Sequence, residues 1–252
     1  MRYILETSKL VKTYKMGRND YHALKGVDLK VRTGEFVSVM GQSGSGKSTL
    51  LNLVSGLDNP TSGSVMLDGM KISQLNDAER TLMRRQKIGF IFQFFNLIPV
   101  LNVLENVTLP LMISDKKTRE SEAKAKELLK LVGLADKLTA YPAELSGGQQ
   151  QRVAIARALV TQPALILADE PTGSLDSKNS RDVMMLLKDC QSRMKQTIVT
   201  VTHDAEVASY SERVLFMKDG ELFDELFLDP DVPRSRRIRE ITSRIEVMTY
   251  GA

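Results

Sequence analysis

Apolar and polar residues alternate through the first forty positions, in Tyr3-Ile4-Leu5-Glu6 and again in Ala23-Leu24-Lys25-Gly26-Val27-Asp28-Leu29. This period of two predicts short β-strands, with turns at Gly17 and Gly26. The pattern then changes. Glu35-Phe-Val-Ser-Val-Met-Gly41 is a compact apolar run opening into a Gly/Ser-rich loop, the mark of a strand buried on both faces. Thr49 to Gly56 reads as a helix, stopped by Gly56 and Pro60. Ser64 to Gly69 reads as a strand and turn, Asp77 to Gln86 as a helix, and Ile88 to Phe92 as another strand. From Asn102 to Lys137 the pattern is helical and charged, with Glu120/Lys124 and Glu122/Lys126 in the favourable i,i+4 order. Leu165–Ala168 and Thr197–Val201 are short buried strands with a helix over Lys178–Met194 between them. Alternating strands and helices predict an α/β fold, a parallel sheet covered by helices, interrupted by a helical subdomain over about residues 97–157.

Length and composition narrow the class. A chain of 252 residues can bury a full core in one or two domains. Lys+Arg 35 against Asp+Glu 31 leaves +4, too mild a surplus to mark a nucleic-acid binder. The single cysteine, Cys190, excludes an internal disulfide framework and any Cys-cluster zinc site, and fits a reducing compartment. The opening residues carry no secretory pattern. The densest apolar stretch, Leu97 to Ile113, is broken by Asn102, Glu105, Asn106 and Thr108, so no membrane span is expected. The chain reads as cytosolic in type, working at a membrane only as the guest of another chain.

Gly41-Gln-Ser43-Gly44-Ser45-Gly46-Lys47-Ser48 matches G-x-x-x-x-G-K-[ST] and sits between a predicted strand and a predicted helix. In such a loop, glycines turn backbone N–H groups toward phosphate oxygens, and the helix N-terminus adds partial positive charge. Lys47 would reach the β/γ-phosphates and Ser48 would ligate Mg²⁺, with Thr49 opening the helix. A dinucleotide reading fails, because Thr49 stands where the third glycine would be. Leu165-Ile-Leu-Ala-Asp169-Glu170 supplies an acidic strand end: Asp169 for the metal shell, Glu170 to polarise the attacking water. Gln93 follows the strand ending at Phe92, and its amide can ligate Mg²⁺ or hold the water. His203 follows Thr197–Val201 in the same way, so four strand ends converge on one sheet edge. His22 has no such context and reads as structural.

A second glycine loop, Leu145-Ser146-Gly147-Gly148-Gln149, precedes an apolar-periodic helix that Ser146 caps. With Gly41–Ser48, Gln93, Asp169-Glu170, Ser174-Leu175-Asp176 and His203, in this order and spacing, the chain resembles the ATP-binding cassette (ABC) ATPases over nearly all of residues 1–228. The resemblance implies a RecA-like P-loop ATPase core with an antiparallel β-subdomain and an inserted helical subdomain bearing the signature. It implies a head-to-tail dimer around two ATP, with Ser146, Gly147, Gly148 and Gln149 facing the other chain's γ-phosphate and Asp176 coupling the two sites. It also makes Gln93 and His203 catalytic alongside Glu170 and Lys47, and places Tyr14 where the family stacks an aromatic ring on adenine.

Thr13-Tyr-Lys-Met-Gly, Phe92-Gln-Phe-Phe-Asn-Leu-Ile-Pro and Pro171-Thr-Gly-Ser-Leu-Asp-Ser are similar to the MacB/LolD/FtsE branch, and Ala208–Gly220 to its bacitracin-resistance (Bce-type) relatives. That branch implies an integral-membrane permease of the FtsX/MacB type, received in a groove near Gln93 where Phe94, Phe95, Leu97, Ile98 and Leu101 are candidate linings. Peptide or drug efflux, lipoprotein extraction and mechanical work are the implied tasks, at the inner face of the cell membrane. The alternative is a soluble ABC ATPase acting on ribosomes or DNA. Against it, the chain holds one cassette, and under a hundred residues separate Ser48 from Leu145. Residues 229–252 form a basic tail, with Arg234, Arg236, Arg237, Arg239 and Arg244 beside Ile238, Ile241, Ile245 and Met248 at helical spacing. It reads as a terminal helix packed back on the domain.

Overall fold

The computed structural model describes residues 2–17, 19–113 and 119–250. Two long strands, β1 (Tyr3–Met16) and β2 (Asn19–Arg32), pair antiparallel. The turn expected at Gly26 is absent. Gly26 lies inside β2 at φ +108°, where the register slips between Leu10↔Val27 and Val11↔Lys25. It is the extra residue of a bulge, so the alternation on either side of it belongs to one strand. β4 (Ser62–Leu67) and β5 (Met70–Lys71) complete an antiparallel sheet of order β2-β1-β4-β5.

The second sheet has the order β10-β9-β3-β8-β7-β6. It consists of β3 (Phe36–Met40), β6 (Ile88–Ile91), β7 (Leu165–Asp169), β8 (Ile198–Thr202), β9 (Arg213–Lys218) and β10 (Glu221–Phe227). Neighbours are parallel except β10, which runs antiparallel to β9. Every residue of β3 and β8 is buried, which is why both are mostly apolar and their polar members, Ser38, Thr200 and Thr202, are small. β7 divides its side chains between two cores. Leu165 and Leu167 join the cluster under the antiparallel sheet, while Ile166 and Ala168 join the one under the helices. The patterning did not separate β9 from β10. Asp219 and Gly220, at φ +49° and +85°, form the tight turn between them, and Asp-Gly is the hairpin signal that marks it.

Helix α1 (Lys47–Val54) starts two residues before the expected Thr49, because left-handed Gly46 hands the chain directly into its first turn. α2 (Asp77–Lys87) is capped reciprocally by Asn76 and Glu79. The stretch expected to be helical from Asn102 to Lys137 contains α3 (Val103–Ile113) and α4 (Arg119–Leu131), residues 114–118 lying outside those described. Together with α5 (Gly147–Leu159) and α6 (Ser177–Met194) they build one apolar cluster, in which Val107, Leu129, Ile155 and Leu187 meet Ile91 and Ile166 of the sheet. The short α7 (Ala205–Ala208) follows β8. α8 (Arg234–Tyr250) lays Ile241 and Met248 against Phe216 and Leu226, and Lys218 Nζ donates to the Met248 carbonyl at 2.7 Å.

Cys190 lies buried on α6, and burial pushes its thiol up to about 11. At pH 8 the native protein should therefore resist alkylation by iodoacetamide, whereas the urea-unfolded chain takes up one adduct within minutes, as intact mass would read.

Candidate functional site

The loop from Gly41 to Gly46 is wedged between the two sheets. A β-carbon at Gly41 would sit 2.3 Å from the Met217 carbonyl oxygen of β9, and one at Gly46 (φ +103°) 2.6 Å from that of Ala23 in β2. Only glycine fits at either end. The loop opens α1, whose first N–H groups have no partner within the helix. Lys47 is 9% exposed, and its Nζ donates to the Gly41 and Gln42 carbonyls, each at 2.8 Å. Burial pulls the Lys47 pKa below the usual lysine value, against the opposing pull of Glu170 and Asp169.

A cleft of about 670 Å³ lies over this loop. Gln42, Ser43, Gly44, Gly46, Lys47, Ser48 and Thr49 form its floor, and Asp169, Glu170 and His203 face them from the ends of β7 and β8. Gly41 and the buried Ser45 are part of the loop and not of the lining. Burial, and then the neighbouring Glu170, raise the Asp169 pKa, with Lys47 opposing. Glu170 has left-handed backbone, φ +46°, a costly conformation for a side-chain-bearing residue. Its carboxylate is held from both sides. His203 Nδ1 meets Oε1 at 2.7 Å, and Thr202 Oγ1 donates to Oε2 at 3.1 Å. A carboxylate only accepts, so this hydrogen bond requires the proton on Nδ1 of the imidazole.

Three of the four expected strand ends thus share the cleft. Gln93 does not line it: the side-chain amide packs on Gly173, and Ser174 Oγ donates to the Gln93 carbonyl at 2.7 Å. Tyr14 also lies outside the lining. Its hydroxyl donates to Asp58 Oδ2 at 2.8 Å, and Lys12 Nζ sits 4.7 Å from the ring centroid. The tyrosine lining the cleft is Tyr21, the cross-strand partner of Tyr14, whose hydroxyl is 3.3 Å from the Gly44 carbonyl oxygen. Tyr21, Gln42 and Thr202 were absent from the sequence-based site. The antiparallel partnership of residues 14 and 21 is the signal for the first, and position next to His203 the signal for the last.

The second glycine loop is built with equal care. Ser146 Oγ accepts from Gln149 N at 3.3 Å, and Gln149 Oε1 accepts from Ser146 N at 2.9 Å, a reciprocal cap that starts α5. A β-carbon at Gly148 would meet Asn179 Oδ1 at 2.5 Å, so the loop lies hard against the start of α6. Asp176 caps α6 through the N–H groups of Lys178 and Asn179, each at 2.9 Å, and the Asn179 contacts hold its carboxyl below the usual range. Neither Ser146–Gln149 nor Asp176 lines the phosphate-loop cleft.

The oxygen donors of Ser48 and Asp169 suit Mg²⁺, a hard cation that retains ligands from water and phosphate. Among the described residues no three His, Cys, Asp or Glu side chains cluster into a metal cage of their own. A family model described as "ABC transporter" matches residues 24–173. The chain belongs to the ABC transporter ATP-binding family. It is an ATPase that uses ATP with Mg²⁺. Over 223 residues (87% of this chain, 95% of that protein) it is 51% identical to the ABC transporter ATP-binding protein MJ0796 of Methanocaldococcus jannaschii. A dimeric structure of that cassette bound to ADP and Pi superposes with a TM-score of 0.81 at 49% identity, covering 89% of this chain and 99% of that one. The lipoprotein-releasing ATP-binding protein LolD of Acinetobacter baylyi is 45% identical, across 87% of this chain and 96% of its own. The bacitracin export protein BceA of Halalkalibacterium halodurans is 43% identical across 88% of each.

The Asp169 carboxylate carries a cost in the folded ABC domain. A raised carboxyl pKa means that the ionised form is the disfavoured one, a cost complete above the folded pKa and absent below the unfolded value near 3.9. Asp169→Asn should therefore raise the Tm of the nucleotide-free protein at pH 7, with the gain shrinking at acid pH. The same change should lower Mg²⁺-dependent ATP turnover by about 10²-fold or more.

Proposed function

We propose that two copies of this chain pair head to tail, each completing the other's ATP site, and drive an FtsX/MacB-type permease from the inner face of the membrane. One observation supports this reading: two glycine loops each open a helix, and the second lies outside the cleft of the first. Ser146–Gln149 opens a capped helix outside the cleft that Lys47 lines, and in the paired reading its N-terminus meets the phosphates held by the second copy. The dimeric MJ0796 cassette supports that pairing.

Within each site the residues divide the work. The loop N–H groups and Lys47 bind the β/γ-phosphates and take up charge as the terminal phosphoryl leaves. Ser48 and Asp169, joined by Gln93 once it approaches the cleft, would hold Mg²⁺, which would supply positive charge against that of the phosphates. Glu170 accepts a hydrogen bond from the attacking water and aims it in line, while Thr202 and His203 fix the direction of the carboxylate. Tyr21, which lines the cleft from β2, is the tyrosine placed to flank the nucleotide, with Tyr14 opposite it on β1. The loop after β6 supplies an apolar docking face for a permease helix: Phe94 is 72% and Val100 80% exposed, with Ile98 beside them. Leu97 instead packs into the helical core. Among the described residues no helix is long and apolar enough to cross a membrane, so the span would belong to the partner. LolD and BceA, named for lipoprotein release and bacitracin export, support a partner of that kind.

Glu170→Gln should convert the protein to a dimer at saturating ATP and Mg²⁺, visible by light scattering, with turnover lowered at least 10²-fold. A variant that remains monomeric there would contradict the head-to-tail reading. The membrane assignment is tested by pulling tagged Glu170→Gln protein from detergent-solubilised native membranes with ATP. An FtsX-type permease in the eluate is the expected result, and ribosomal or DNA-associated proteins in its place would refute it.

A further inference from the structure

Two side chains of α5 reach into the loop that carries Gln93, and neither has a part in the reaction described so far. Gln151 is 0% exposed. Its Nε2 donates to the Pro171 carbonyl at 2.5 Å and to that of Phe92 at 3.3 Å. Because both neighbours are carbonyl oxygens, the amide must present its NH₂ to them, and Oε1 is left buried without a partner. Stability alone would favour a leucine at such a position, since a buried oxygen without a donor is a net cost. The polar residue is explained by what it joins: the chain just before Gln93 and the chain just after Glu170.

Arg157, at the other end of α5, holds the far side of the same loop. Its Nη1 donates to the Asn96 carbonyl at 2.5 Å and its Nη2 to that of Phe95 at 2.7 Å. Phe95 and Asn96 are consecutive left-handed residues, φ +60° and +48°, and neither is glycine. Such a pair is strained and persists only where its surroundings dictate it. A planar guanidinium spans two adjacent carbonyls in one plane, which a lysine ammonium cannot do.

We propose that Gln151 and Arg157 are positioning residues for ATP hydrolysis: they fasten the 92–96 loop to the signature helix, so that α5, and not the phosphate loop, governs the approach of Gln93 to the cleft. The proposal rests on the reading of Gln93 given above and adds the parts that move it. Gln151 touches both loop and acidic strand end, so it is also the point at which Glu170 and Gln93 are brought into register. Arg157 makes the loop a rigid extension of α5, carrying exposed Phe94 with it. When a second copy engages Ser146–Gln149, the force on α5 reaches the 92–96 loop through these two side chains.

The test compares wild-type, Gln151→Leu, Arg157→Gln and Arg157→Lys proteins. It reads kcat and KM for ATP, and amide exchange across residues 93–98 by mass spectrometry. Expected are a fall in kcat of at least tenfold for the first two variants with KM within twofold of wild type, and exchange at 93–98 faster by tenfold or more. The phosphate loop should exchange as before, and Arg157→Lys should recover part of kcat. The lysine variant also serves where Arg157→Gln fails to fold. The wild-type rate and the Glu170→Gln dimer, measured alongside, report on the ATP site independently of these residues. A kcat within twofold of wild type, a KM that rises in step with the loss of kcat, or unchanged exchange at 93–98 would each overturn the proposal.

Discussion

One ammonium and two carboxylates share a partly buried edge of a parallel sheet, and the rest of the molecule is arranged around keeping them there. Charges taken out of water are tolerated only when they face one another with their remaining hydrogen bonds made. Here the backbone carbonyls of Gly41 and Gln42 hold Lys47, and Thr202 and His203 hold Glu170. The parallel sheet brings these groups together because β3, β8 and β7 are adjacent and end on the same edge. Burial on both faces fixes the strands themselves, so the polar groups at their ends have little freedom to drift.

The legible parts of the sequence were those whose chemistry is local. A strand covered on both sides is dominated by apolar residues, as β3, β7 and β8 are apart from Ser38, Thr200, Thr202 and the terminal Asp169, and a loop whose β-carbons would strike Met217 and Ala23 must have glycine at those positions. Asp169, Glu170 and His203 are readable because each ends or directly follows such a strand. The obscure parts depend on what approaches from elsewhere. Gly26 looks like a turn until the partner strand is seen to slip by one residue opposite it. Tyr14 and Tyr21 are equivalent in pattern, and only their position across the β1–β2 ladder puts one against the cleft. Gln151 and Arg157 sit in a helix whose periodicity accounts for the neighbouring alanines and valine but not for them. Their partners lie twenty residues away in sequence at Pro171 and 59 to 62 residues away in the loop after β6.

Helix α5 therefore has three obligations at once. Its N-terminus presents a capped glycine loop, its apolar side closes the core against Ile91 and Ile166, and its polar side chains reach the segments after β6 and β7. The close approach of Gly148 to Asn179 adds α6, and through it the Asp176 cap, to the same rigid body.

The phosphate loop, pinned at Gly41 by one sheet and at Gly46 by the other, has its shape before any ligand arrives. The conformational entropy of ordering that loop is lost when the chain folds and not when nucleotide binds. Association then costs mainly the freedom of the ligand itself, so nucleotides can enter and leave in succession without the loop melting and re-forming on each passage.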